Sequence, residues 1–224
     1  MSYREDFIKR LISQFFQALY KIMGFIKKDD YSSAKAMINE LRAELLGISQ
    51  NMADTLSTPD LISMLSTGEE PDLGKPLILA ELFKTEGDIY AAEENEEKAY
   101  QQYLKALDMQ LELAFQTGDT RIPEEFTPVD SIADLLEDYV LPPETLAALF
   151  HYYEAANQFA RAEEILFDFI EDSPNPAEVV ASGFRFVDRL HAKSADELLA
   201  GELAPEDIDD IAEELRKVQK SLDK

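Results

Sequence analysis

Hydrophobic residues recur along this chain with the period of an α-helix and almost nowhere with the period of a strand. The first segment is the clearest instance. At about 100° per residue, Phe7, Ile8, Leu11, Ile12, Phe15, Phe16, Ala18, Leu19, Ile22, Met23 and Ile26 all fall within about 180° of the helix circumference. Lys9, Arg10, Ser13, Gln14, Gln17, Lys21 and Lys28 take the other half. So wide an apolar face exceeds what one neighbouring helix covers, and the helix is expected to pack against at least two partners. No Asn-Gly or Asp-Gly hairpin turn breaks the pattern. The expected fold class is all-α.

The same periodicity predicts helices over 31–46, 75–93, 96–116, 144–156, 159–171, 177–191, 195–200 and 205–222. Ser57-Thr58-Pro59-Asp60 and Thr127-Pro128 each open a short helix, at 59–66 and 129–138. Proline suits a helix start because its missing N–H has no intrahelical partner there. Loops are expected at 69–74 and 118–126. Asn175-Pro176-Ala177-Glu178 and Ser194-Ala195-Asp196-Glu197 carry the spacing of a capping box.

A longer-range pattern lies over these helices. Phe83, Gly87, Tyr90, Ala99, Tyr103 and Ala106 have the spacing of a tetratricopeptide (TPR) hairpin. In such a hairpin small residues let two helices approach and aromatic residues fill the space beside them. Leu146, Leu149, Tyr153, Ala162, Leu166 and Phe169, followed by Pro174, repeat the pattern but place Phe150 where a small residue is wanted. A weaker copy runs through Phe25, Ala34, Ile38 and Leu41. The anchoring alanines Ala34, Ala99 and Ala162 are about 64 residues apart, nearly twice the 34-residue TPR period. Each of the two clear hairpins therefore carries a short extra helix before it. The chain resembles the TPR-like superfamily, and its first copy with the opening Tyr3-Arg-Glu-Asp-Phe-Ile resembles an uncharacterised family of bacterial TPR-like proteins. That resemblance implies an α-α superhelix over residues 1–173, with 174–224 as a C-terminal helical extension packed on it. It also implies a bacterial, cytoplasmic setting, and brings no activity with it.

Charge narrows the classes of function. Residues 1–28 hold six basic groups against two acids, +4, whereas the other 196 residues hold 15 against 44, −29. A chain so acidic lacks the clustered cations that nucleic-acid binding needs. Without cysteine, disulfides, thiolate metal sites and cysteine nucleophiles are excluded. The acids at the start of the chain are not those of a signal peptide, and the uncharged run 11–20 is half the length of a bilayer span.

No catalytic, cofactor or metal constellation stands out. His151 and His191 are the only histidines, and His151 with Glu154 lacks further ligands. The acidic tract around Asp207, Asp209 and Asp210 has helical spacing and no turn glycine, which reads as a solvated face and not a Ca²⁺ loop. The TPR resemblance implies a concave surface lined by the first helix of each hairpin: Glu81, Lys84 and Asp88 from one, Glu144, His151 and Glu154 from the other. An acidic groove of that kind prefers a basic protein or peptide. The functional expectation is a non-catalytic protein-interaction module, with self-association as a competing use of the same surface. The alternative is a peripheral membrane adaptor anchored by the basic, amphipathic first helix. An enzyme with an acidic cavity ranks third.

Overall fold

The computed structural model describes residues 3–66 and 73–223, with side chains from residue 6 onward. Twelve helices and no strand lie among the described residues. They are α1 (Tyr3–Ile26), α2 (Tyr31–Leu46), α3 (Gln50–Thr55), α4 (Thr58–Leu65), α5 (Gly74–Ala92) and α6 (Glu96–Thr117), then α7 (Val129–Asp134), α8 (Pro143–Ala155), α9 (Phe159–Asp172), α10 (Pro176–His191), α11 (Ala195–Ala200) and α12 (Asp207–Leu222). No helix among the described residues is long and apolar enough to cross a membrane.

The chain divides into two compact units, Met1–Tyr139 and Val140–Lys224. A boundary at 173/174 falls inside the second unit, because α10 packs on both α9 and α12.

In the first unit, α5 and α6 form a hairpin through a three-residue turn, and α2 and α1 pack against α5. The expectation of at least two partners for α1 is met by α2 and α5. Only a narrow stripe of its apolar face is fully buried: Leu11, Phe15 and Ile22. Phe15 and Phe16 also pack on Phe126, which anchors the loop after α6. The short helices start as their sequences require. Ser49 accepts the Met52 N–H ahead of α3, and Ser57 accepts that of Asp60 ahead of α4, with proline in its first turn. Periodicity does not mark the six-residue α3; its signal is the serine cap. The helix expected over 129–138 is helical only to Asp134 and continues as turns. The loop expected at 69–74 lies outside the described residues as far as 72, and Gly74 already belongs to α5.

Between α6 and α7 the chain folds back through an exposed turn in which Asp119 accepts both the backbone N–H and the guanidinium of Arg121. These bonds, the side-chain ones foremost, hold the Asp119 carboxyl down to about 2. A depressed carboxylate keeps its contacts above the ordinary range and loses them as pH falls through about 2. NMR titration of the Asp119 side-chain carbonyl should therefore find it ionised at pH 3. Arg121→Ala should move the midpoint most of the way back toward 3.8, the backbone bond retaining the remainder.

In the second unit, α8 and α9 form a second hairpin, and α10 lies against α9. Phe150, the oversized residue of the repeat, is buried edge-on against Phe186 of α10. The close approach moves to α10, where a Cβ on Gly183 would lie 2.8 Å from Leu215 of α12 and 3.2 Å from Leu166 of α9. The capping box at Ser194 and Glu197 forms. The one expected at Asn175 does not: its side chain makes no cap bond, and α10 starts on Pro176 with the Glu178 N–H donating to the Asn175 carbonyl.

Candidate functional site

Each hairpin is built on the residues that its repeat singles out. Phe83, Gly87, Ala99, Tyr103 and Ala106 are buried in the first, and Leu146, Tyr153, Ala162 and Leu166 in the second; Tyr90 is half-buried. Gly87 is the tightest point. A Cβ there would sit 2.5 Å from two carbons of the Tyr103 ring, so α6 lies against α5 with no room for a side chain between them.

That contact carries a polar network to the surface. The Tyr103 hydroxyl donates to one oxygen of Asp88 at 3.0 Å, and Lys84 donates to the other at 2.8 Å. Lys84 and Asp88 keep about a quarter of their side-chain surface in solvent, 23% and 26%, so the pair is accessible to a partner. Burial, followed by the Asp88 charge, pushes the Tyr103 phenol above its ordinary value, which keeps it a donor. One turn further along α5 lies a second cationic and aromatic group. Lys35 of α2 and Lys98 of α6 stand 4.3 and 5.2 Å from the centre of the Tyr90 ring, and Lys35 also pairs with Glu93.

The other residues expected on a groove are placed differently. Glu81 points inward: its two oxygens accept the backbone N–H and the hydroxyl of Thr127, each at 2.9 Å, while Gln110 donates to the Thr127 carbonyl at 2.8 Å. At 7% exposure it fastens the chain ahead of α7 and is closed to a partner. In the second unit Glu154 is held by both Nε and Nη2 of Arg189 on α10. Glu144 and His151 are exposed, and the His151 ring lies beside Phe150. Of the four acids named from sequence, Glu81, Asp88 and Glu154 are each held by partners within the fold and Glu144 is exposed, so this set offers less free acidic surface than its formal charge suggests.

Sequence reasoning missed the most buried charge among the described residues. Arg42 of α2 is fully buried and donates to Glu86 at 2.6 Å, to Asn39 at 3.1 Å and to Gln50. It also lies 5.7 Å from the centre of the Phe83 ring, which Lys105 approaches to 5.5 Å. In the second unit a half-buried carboxyl, Glu163, is pushed up by burial and by the charges of Asp207 and Glu214. No group of three or more His, Cys, Asp or Glu side chains arranged to hold a metal ion occurs among the described residues.

The protein is thus an all-helical protein of packed hairpins with an accessible, internally paired polar network on its first hairpin. It belongs to a family of unknown function, DUF6483, whose model matches residues 2–222. The match takes in 174–222, the segment left outside the resemblance read from sequence, so the C-terminal helices are part of what defines the family. Neither the curated proteins nor the solved structures contain a match.

Proposed function

We propose that the chain is a TPR-like, non-catalytic interaction module that holds a protein or peptide segment along the α5 side of its first hairpin. The observation that carries this reading is the Lys84–Asp88–Tyr103 network. It offers a cation, a carboxylate and a phenol in fixed positions on a surface stiffened by the Gly87–Tyr103 contact. Fixed polar groups beside an aromatic ring lower the ordering cost of binding an extended chain. The TPR-like character of each hairpin is supported by the burial of its own motif residues. A cysteine-free, strongly acidic chain suits a bacterial cytoplasm, which is the setting proposed with it. Asp88 already shares its charge with Lys84, so the partner is read through the ordered pair and not drawn in by an acidic groove.

The test separates binding from folding by exchanging the two charges. The variant K84D/D88K keeps an i,i+4 pair of reversed polarity. Affinity capture from the native cell with the unaltered protein should recover a stoichiometric partner, and the exchanged variant should lose it by about tenfold or more. Lys217→Glu, on the exposed face of α12, should retain it. Equal recovery by the exchanged variant, or no stoichiometric partner for the unaltered protein, would remove the proposal.

A further inference from the structure

In the second unit α9 and α12 both pack on α10, and two contacts set them side by side. At one end the Ala160 N–H of α9 donates to the Gly201 carbonyl at 3.1 Å, and a Cβ on Gly201 would run into the Phe159 ring. At the other end Leu166 of α9 and Leu215 of α12 both close on Gly183 of α10, within 3.2 Å of where its Cβ would stand. Glu163 lies midway along α9 between Ala160 and Leu166. Asp207 and Glu214 of α12 are about two turns apart and share one face of that helix. Glu163 and Asp207 are half-buried, and Glu214 is exposed. Three carboxyls therefore come together where α12 runs along α9. The cations nearby are turned elsewhere: Arg161 donates to the Tyr153 hydroxyl, Arg189 to Glu154 and Lys193 to Asn157, while Lys217 pairs with Glu213. The other charged groups of the elements around α9 are exposed. They are Glu144 and His151 on α8, Glu178, Arg185 and Asp188 on α10, and Glu202 and Glu206 ahead of α12. Arg216 and Lys220 of α12 are exposed as well.

We propose that Glu163 is a proton-operated latch for α12: neutral, it lets α12 seat beside α9, and ionised, it repels the Asp207 and Glu214 face and loosens that helix. The face that a loosened α12 uncovers is apolar, since Ile208, Ile211 and Leu215 are buried in the seated form. Burial foremost, then the charges of Asp207 and Glu214, raise the Glu163 carboxyl above its ordinary 4.5. A carboxyl raised by folding contributes stability that is fully present below its ordinary value and is lost as pH rises through the folded one. The latch therefore closes in acid and opens toward neutrality. It lies wholly within the second unit and stands whether or not the Lys84–Asp88 network binds anything.

Hydrogen exchange of the full chain, with intrinsic rates divided out, follows the α12 amides as pH is raised from about 5 to about 8. Their protection is expected to fall by about threefold or more across that range. Glu163→Gln keeps the shape of the side chain and removes its charge, so α12 should stay protected throughout. Asp207→Asn with Glu214→Gln removes the opposing charges and should flatten the response from the other side. Asp168→Asn is the control. Its carboxyl is also raised, by burial and then by Glu164, Asp172 and Glu171 of its own helix, so α12 should keep its full response without it. Circular dichroism of each variant establishes that it is folded. A pH-independent α12 in the natural protein would overturn the proposal. So would an undiminished response in Glu163→Gln or in the α12 double variant, or a response abolished by Asp168→Asn.

Discussion

Replacing Arg42 with methionine is expected to destabilise the first unit by about 3–5 kcal/mol, the largest single-site effect in the chain. Arg42 and Glu86 have side-chain exposures of 0% and 5%, so neither charge reaches water when its partner is removed. The methionine restores most of the volume, and the loss therefore reports the stranded Glu86 carboxylate and not a cavity. Glu86→Leu alone should cost a similar amount by stranding the guanidinium, whose Nε already has no hydrogen-bond partner. The pair itself contributes much less than either single change implies, because both ions gave up hydration on folding. The double variant R42M/E86L should thus recover most of the loss and unfold within about 1–2 kcal/mol of the natural protein. Urea unfolding of the four proteins, followed by tyrosine fluorescence, closes the cycle. Additive losses in the double variant would mean that Arg42 acts through Asn39, Gln50 and the Phe83 ring, which keep their own contacts to it.

What could be read from the sequence, and what could not, divides along the reach of the interaction. The helices other than α3, and the caps at Ser57 and Ser194, follow from local spacing, because periodicity and capping are decided within a turn or two; the close approach at Gly87 follows from the hairpin repeat. The first helix is legible as one needing two neighbours, though its width alone does not say that full burial is confined to Leu11, Phe15 and Ile22. Glu81 and Arg42 were illegible for a common reason. A charged residue in a helical pattern is assigned to solvent unless its partner is known, and the partners lie 46 and 44 residues away. Nothing at either position marks Thr127 or Glu86 as its match. Phe150 is the converse case: it departs from the repeat, and the compensating Phe186 lies beyond the repeat altogether. The candidate site was therefore half legible. Spacing marks Lys84 and Asp88 as surface groups, while it gives Tyr103, whose hydroxyl fixes Asp88, only a packing role.

Gly87→Ala is expected to destabilise the first hairpin by about 2–3 kcal/mol, against the usual rule that alanine stabilises a helix interior by about 1 kcal/mol relative to glycine. The added Cβ would lie 2.5 Å from Cδ1 and Cε1 of Tyr103, and that ring has little freedom to retreat. It is buried, and its hydroxyl is tied to Asp88, so movement away from α5 strains the packing and stretches the hydrogen bond together. Gly183→Ala should cost less despite a comparable approach, because what it meets are the methyl ends of Leu215 and Leu166, which can rotate aside. The reading of Gly87 is tested by changing its neighbour. Tyr103→Leu costs stability alone, but in its presence Gly87→Ala should become neutral or favourable, reversing the sign of the alanine effect. Tyr103→Phe keeps the ring and removes only the bond to Asp88, so the alanine should remain unfavourable there, by a smaller margin. A Gly87→Ala loss that is the same in all three backgrounds would place its cause elsewhere than at the ring. It would also separate the stiffness of the Lys84–Asp88 surface from the α5–α6 contact beneath it.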